Sequence, residues 1–288
     1  MFEFTAVKSS RVVILGSKGF VAQAFAARFK DDGFNVKTVG ANELDLCAEG
    51  AGQKLADLLQ NDDCLVFVSA LTPDRGRDLA TMRKNLLMAE AVIDALKKKA
   101  VSQIVYVSSD AVYDDRAHLV NETTPLAPET FHGIMHRARE TALVGACVAA
   151  KVPLVILRPC AVYGPGDTHN GYGPNRFIRT AIEKGSVDLF GGGEEQRDHL
   201  YIGDFATLAS ACVARGARGV LNIATGKAYS FAEVASVAAR LAGRSVDIKP
   251  SARANPVTHR HFDITMLLRA FSGFSFTRLE DGLKAMVR

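Results

Sequence analysis

Along the first 160 residues, short wholly apolar runs alternate with longer stretches in which apolar positions recur at helical spacing. Arg11-Val12-Val13-Ile14-Leu15 is apolar on both faces and ends at Gly16, so it reads as a buried strand of a parallel sheet. Similar strands are predicted over 34–39, 64–68, 103–107 and 152–157. Helices are predicted between them over 20–30, around 55–59, over 79–98 and over 131–150, the first stopped by Asp31-Asp32-Gly33. Strands alternating with helices imply an α/β fold, a doubly wound parallel sheet with right-handed crossovers. In such a sheet the ligand lies beyond the carboxyl ends of the strands. Here those ends carry Gly16, Gly40, Ser69, Ser108 and Arg158-Pro159.

After residue 163 the texture changes to glycine- and proline-rich loops and short segments, with Gly219-Val220-Leu221-Asn222-Ile223 expected to return to the sheet. The division expected is a dinucleotide-binding domain over 1–165, rejoined by 203–225. A smaller substrate lobe would form from 166–202 and 226–288.

Composition narrows the class. Hydrophobic residues make up 48% and charged residues 23%, an ordinary globular balance. The net charge is 35 − 31 = +4, and the densest basic run, Lys97-Lys98-Lys99, falls where a helix should end, which suits the helix dipole. That argues against a nucleic-acid partner. No apolar stretch approaches a membrane span, and five scattered cysteines suggest neither a disulfide framework nor a metal site. A cytoplasmic protein with reduced thiols is expected.

The turn Gly16-Ser17-Lys18-Gly19-Phe20-Val21 joins the first strand to the first helix. Its glycines let backbone N–H groups approach a pyrophosphate at a helix N-terminus. Placed inside a βαβ unit, it points to a dinucleotide cofactor.

Several further segments together resemble one family, the extended short-chain dehydrogenase/reductases, in particular nucleotide-sugar epimerases, dehydratases and reductases. The glycine turn matches theirs with Ala22 at the third glycine, and Glu43-Leu44-Asp45-Leu46 looks like their adenine-side segment. Asn85 stands in the long central helix, and Val107-Ser108-Ser109-Asp110-Ala111-Val112-Tyr113 looks like their strand-end serine motif. The segment 157–167, the run Arg197-Asp198-His199-Leu200-Tyr201 and the C-terminal 278–283 resemble their later motifs. The resemblance implies a Rossmann-type fold and cofactor contacts from the glycine turn, Asp45, Leu46, Ser69, Ala70, Leu71, Asn85, Ser108, His136, Pro159 and Val162.

One segment departs from the pattern. Where the family carries Tyr-x-x-x-Lys, this chain has His132 and His136, four residues apart and so on one helical face. Three readings stand. His132 is the acid/base, imidazole being a good proton carrier, with His136 bonding the ribose or tuning it. Alternatively the histidines bind substrate and Ser109, Asp110 or Tyr113 moves the proton. In the third, catalysis is lost and the chain is a dinucleotide-binding regulator or scaffold. Family dehydratases place an Asp-Glu pair after the serine, and here Asp110 is followed by Ala111. Arg137, Arg139 and Glu140 read as surface or pairing charges.

On the substrate side, Arg197 and Arg260 are the candidates for gripping a diphosphate. Asn175 and Phe177 would line a nucleotide pocket, and Thr72 would cover the sugar. Asp198 and Asp204 read as capping or pairing groups. Gly40-Ala41-Asn42 after the second strand is neither acidic nor basic, so NAD is favoured only slightly over NADP, with Lys18 and Lys37 able to attract a 2′-phosphate. The function expected is an NAD(P)-dependent nucleotide-sugar epimerase, reductase or dehydratase, and by resemblance a homodimer using the two long helices.

Overall fold

The computed structural model describes residues 2–253 and 256–287. In chain order its strands are β1 (Glu3–Phe4), β2 (Arg11–Leu15), β3 (Asn35–Val39), β4 (Asp63–Phe67), β5 (Gln103–Val107), β6 (Leu119–Val120), β7 (Leu154–Pro159), β8 (Ala161–Tyr163), β9 (Ser186–Phe190), β10 (Gln196–Tyr201), β11 (Ala217–Ile223), β12 (Ala228–Ser230), β13 (Asp247–Ser251) and β14 (His261–Phe262). Its α-helices are α1 (Phe20–Asp31), α2 (Ala51–Leu58), α3 (Leu79–Lys98), α4 (Phe131–Ala150), α5 (Pro174–Lys184), α6 (Ile202–Ala214), α7 (Phe231–Leu241), α8 (Thr265–Ala270) and α9 (Leu279–Lys284). Among the described residues no helix is long and apolar enough to cross a membrane.

The first compact unit runs up to Asp114 and includes Pro125–Pro159 and Ala206–Asn222. A seven-stranded sheet in the order β1-β11-β7-β5-β4-β2-β3 organises it, and β2 pairs in parallel with β3 and β4, β4 with β5, and β5 with β7. The doubly wound reading therefore holds. The apolar runs of β2, β4 and β5 are buried along almost their whole length because helices cover both faces. Against the sheet, α2, α3 and α4 contribute Leu55, Val92, Leu96, Leu143 and Cys147 to one core. The short N-terminal β1, which no alternation in the sequence signalled, adds antiparallel to β11 at the sheet edge.

The second unit holds Asp115–Thr124, Cys160–Phe205 and the residues from Ile223 on. Its core is a cluster of Phe177, Ile178, Val187, Leu189, Phe231, Val234 and Leu283. Within it β12-β10-β8 form one small sheet, and β13 pairs with β9. The boundaries differ from the sequence expectation, and the segment that rejoins the first unit is Ala206–Asn222 rather than 203–225. The division falls at Pro159/Cys160 rather than at 165/166, because β8 pairs with β10 instead of extending β7. The segment 115–124, expected in the cofactor domain, belongs to the second unit because β6 pairs in parallel with β14. Such a long-range pairing leaves no local signal.

Candidate functional site

In the first unit the turn after β2 forms one wall of a groove of about 520 Å³, bounded by Gly16 to Gly19, Thr38, Gly40 to Glu43 and Val68 to Ala70. Gly16 has φ +114°, a conformation L side chains rarely adopt, and its backbone packs against Ser69. Gly19 is the N-cap of α1 and no side chain caps that helix, so its first N–H groups are left for a ligand. Ser17 and Lys18 line the groove, whereas Phe20 is buried in the core and anchors the turn from behind. A dinucleotide pyrophosphate fits this cradle. Lys37 lies in β3 and pairs with Glu43 at 3.0 Å, so it is not held out for a 2′-phosphate.

The other cofactor candidates of this unit are structural as well as adjacent. Asn85 is buried on α3, and its amide both accepts from the Leu71 N–H (2.8 Å) and donates to the Leu71 carbonyl (2.9 Å). It shapes the Ser69-Ala70-Leu71 segment instead of offering a free donor. The exposed Asp45 carboxylate accepts from the Cys47 N–H, and Leu46 is buried in the core. Ser108 donates to Glu140 at 2.5 Å, deep in the unit, which turns its hydroxyl away from any ligand. Glu140 in turn holds Arg158 by two bonds (2.9 and 2.6 Å), and Arg158 donates to the Tyr113 hydroxyl, itself bonded to Asn222. Tyr113, buried in that network, is therefore corrected from a proton-transfer candidate to a structural one. Pro159 closes β7, buried. Val162, on β8, lies in the second unit.

The two histidines meet at the start of α4. The Thr130 hydroxyl caps this helix by accepting from the Gly133 N–H. Gly133 is required because a Cβ there would overlap the Ala111 carbonyl, so the first turn of α4 lies directly on the 3₁₀ turn Asp110–Val112. The Ser109 hydroxyl caps that turn by accepting from the Ala111 N–H at 3.1 Å, and Asp110 is half-buried beside it. His132 and His136 pack edge-to-face with ring centroids 4.6 Å apart. His132 helps line a cavity of about 450 Å³ with Leu71, Thr81, Met82, Asn85, Thr130 and Phe131. Burial, aided by the charge of Arg139, lowers the His132 imidazole to about 4. The same burial, then His132 and Arg139, holds His136 well below the ordinary value.

Two further residues pack on this cluster that the sequence did not single out for it. Tyr106, on β5, places its hydroxyl 2.7 Å from His136 Nδ1. Arg139, expected at the surface, is 1% exposed: it donates to the Ser69 and Asn85 carbonyls and lies over the Phe67 ring at 4.7 Å. Its position three residues after His136, on the same helical face, was the available signal. Glu140 is a pairing charge, but a buried one; Arg137 is exposed.

The substrate candidates divide. Thr72 of the first unit donates to Asp74 at 2.6 Å. The rest lie in the second unit. Arg197 is half-buried and donates to Glu195 (2.6 Å) and to the Thr258 hydroxyl (2.9 Å). Arg260 is buried, with Asp115 at 3.0 Å. Asn175 accepts from the Gly164 N–H at 3.0 Å and donates to Asp167. Phe177 is a core residue of α5, 1% exposed, so the expectation that it lines a pocket is corrected: the α5 register turns it inward. Asp198 accepts from the Thr225 and Gly226 N–H groups, and Asp204 from Thr277, both holding loops. Among the described residues no cluster of His, Cys, Asp or Glu could hold a metal ion.

Comparison with known proteins supplies the context. The family described as NAD dependent epimerase/dehydratase matches residues 12–224. The uncharacterized UDP-glucose epimerase YtcB of Bacillus subtilis (strain 168) is 24% identical over 236 residues, which are 80% of this chain and 74% of that protein. A trifunctional UDP-glucose 4,6-dehydratase/UDP-4-keto-6-deoxy-D-glucose 3,5-epimerase/UDP-4-keto-L-rhamnose-reductase of Arabidopsis thaliana is 23% identical over 313 residues, 97% of this chain and 47% of that protein. The chain thus spans about half the length of that relative. The solved structure of MoeE5 in complex with UDP-glucose and NAD is 25% identical, with a TM-score of 0.81 over 96% of this chain and 97% of that one.

Proposed function

This chain belongs to the NAD-dependent epimerase/dehydratase family, and from that premise we propose that it is an NAD-dependent epimerase of a nucleotide sugar with His132 as its proton carrier. The observation that carries this reading is His132 itself, on the wall of a cavity beside the cofactor segment 69–71, where the family pattern places its acid/base. NAD, bound along the Gly16–Gly19 groove, supplies a hydride acceptor that can return the hydride. The chain's part is to move a proton. Neutral His132 accepts the proton of a sugar hydroxyl as the C–H bond is broken, and gives it back when the carbonyl is reduced. The imidazole is neutral in the resting protein, so a ring nitrogen has its lone pair free for the first of these steps. The Asp110-Ala111 pair lacks the second acid that family dehydratases use for elimination, which favours epimerisation over dehydration. The likeness to a structure holding UDP-glucose supports a nucleotide-sugar substrate. The exposed Val144 and Val148 on α4 are consistent with a homodimer, which light scattering would test.

The decisive experiment titrates the protein with NAD⁺ and NADP⁺ and then with UDP-, dTDP- and GDP-sugars, following products by NMR. The expected result is tight NAD⁺ binding and interconversion of one sugar epimer pair. Cofactor binding with no sugar-nucleotide binding would overturn the proposal. His132→Tyr is expected to move the pH optimum to the alkaline side, because a phenol replaces an imidazole.

A further inference from the structure

In the second unit Arg197, Arg253 and Arg260 each have a carboxylate of their own chain within 3.3 Å. Glu195 serves two of them. It stands two residues before Arg197 at the entry to β10, a spacing that puts both side chains on one face of an extended chain. Its Oε1 accepts from Arg197 Nη2 at 2.6 Å and from the Thr258 hydroxyl at 2.8 Å. Its Oε2 accepts from Arg253 Nη1 at 3.3 Å. Main-chain bonds fix the segments that carry these groups: the Phe231 N–H donates to the Glu195 carbonyl and the Arg260 N–H to the Gln196 carbonyl, both at 3.1 Å.

Few arginine donors are left over. A guanidinium has five N–H groups. Arg197 Nη1 donates to the Gln196 and Thr258 carbonyls, and Nη2 to Glu195 and to the Thr258 hydroxyl, so only its Nε–H remains. Arg253 Nη2 donates to the Phe190 carbonyl at 3.0 Å and to Glu194 at 2.8 Å. Two cations thus face two carboxylates, and the cluster offers a diphosphate no net positive charge. Yet the groups around Glu195 are those that suit a phosphate: a planar donor fork, a second cation and a hydroxyl. A carboxylate satisfies the same donors with a smaller anion.

We propose that Glu195 is the resting occupant of an anion site made by Arg197, Arg253 and Thr258, and that the substrate diphosphate binds there by displacing it. This rests on the nucleotide-sugar reading, and it goes beyond it by making Glu195 the residue that sets the affinity. The site excludes weaker anions because each must first compete with a carboxylate already held by both arginines. With Glu195 turned aside the cluster gains one unit of positive charge at the moment the diphosphate arrives.

The test titrates the whole protein calorimetrically with UDP, dTDP and GDP. Glu195→Gln keeps the size of the side chain and an acceptor oxygen but removes the charge. It should lower the Kd of the best-bound nucleotide about tenfold, while the matching nucleoside, which has no phosphate, shows no gain. Removing a carboxylate that only braces the loop would leave that affinity equal or weaker, so a Kd within twofold of the wild type or above it overturns the proposal. A crystal structure of the wild type with the nucleotide needs no variant: Arg197 should bond to phosphate oxygens with the Glu195 carboxylate turned away. Glu195 still bonded to Arg197 beside a bound diphosphate overturns the proposal as well. A variant that binds none of the three nucleotides brings down the nucleotide-sugar reading and this proposal with it, whereas one that binds no better than the wild type brings down this proposal alone.

Discussion

The glycine groove and the histidine cluster proposed for proton transfer sit on the same sheet and are built in opposite ways. The cradle is made of backbone: Gly16 at φ +114°, the uncapped N-terminus of α1, and the main chain of residues 40–43. The histidine cluster is made of side chains, from His132, His136, Tyr106 and Arg139, held by ring contacts and buried hydrogen bonds. A backbone site asks of the sequence only that side chains stay out of the way. A side-chain site depends on each identity, and an exchange at one position must be answered at others. Here His in place of Tyr and Lys is accompanied by a buried tyrosine and a buried arginine.

That contrast predicts unequal sensitivity. The largest effect is expected from Glu140→Leu, which leaves the Arg158 guanidinium buried without its carboxylate; removing one partner of such a pair costs about 3–5 kcal/mol, read as a fall in Tm. His132→Ala should leave NAD⁺ binding intact and lower kcat by roughly 10²–10⁴, and unchanged turnover would remove His132 from the mechanism. Gly133→Ala forces a Cβ onto the Ala111 carbonyl, with about 3 kcal/mol of lost stability expected in denaturant titration. Gly16→Val should weaken NAD⁺ about tenfold or more while the fold is kept, since φ +114° is strained for any L side chain. Gly40→Ala should do least, because the group in its way is the Ser17 hydroxyl, which can rotate; a loss of NAD⁺ affinity as large as that of Gly16→Val would break the comparison.

The same contrast has a pH signature. His132, half-buried and at about 4, and the buried His136, lower than its ordinary value, and His199, at about 3, are all held as neutral rings, chiefly by desolvation. Each has a folded value below the unfolded one of about 6.5, so the unfolded chain binds the proton more readily. Stability is therefore complete above pH 6.5 and falls as the pH drops from 6.5 toward 4. Melting curves across that window should show it, and a Tm unchanged between pH 7 and 4.5 would contradict the burial. Catalysis should not follow the ordinary histidine limb near 6.5, since His132 stays neutral well below it.

Legibility in the sequence follows the same division. Helices α3 and α4 and strand β5 were readable to the residue, because the apolar period is a local signal. The glycine turn was readable because strand, glycine and helix follow one another. The pair β6 and β14 and the position of residues 115–124 were not, since each needs a partner some 140 residues away. The spacing of His132 and His136 was legible as one helical face, and the two rings do pack together, but their Tyr106 neighbour was hidden inside an apolar strand run where a tyrosine reads as core. Arg139 and Phe177 were misplaced because sequence shows charge and aromaticity but not the direction a side chain takes.

Leu71 lies just past the end of β4, where the chain has left the sheet. Both of its main-chain groups are nevertheless answered, by the carboxamide of Asn85, which presents a donor and an acceptor as a neighbouring strand would. One side chain on α3 thus acts as a strand one peptide long. The segment that faces the groove is ordered before any ligand arrives, so binding there need not supply the entropy of folding it.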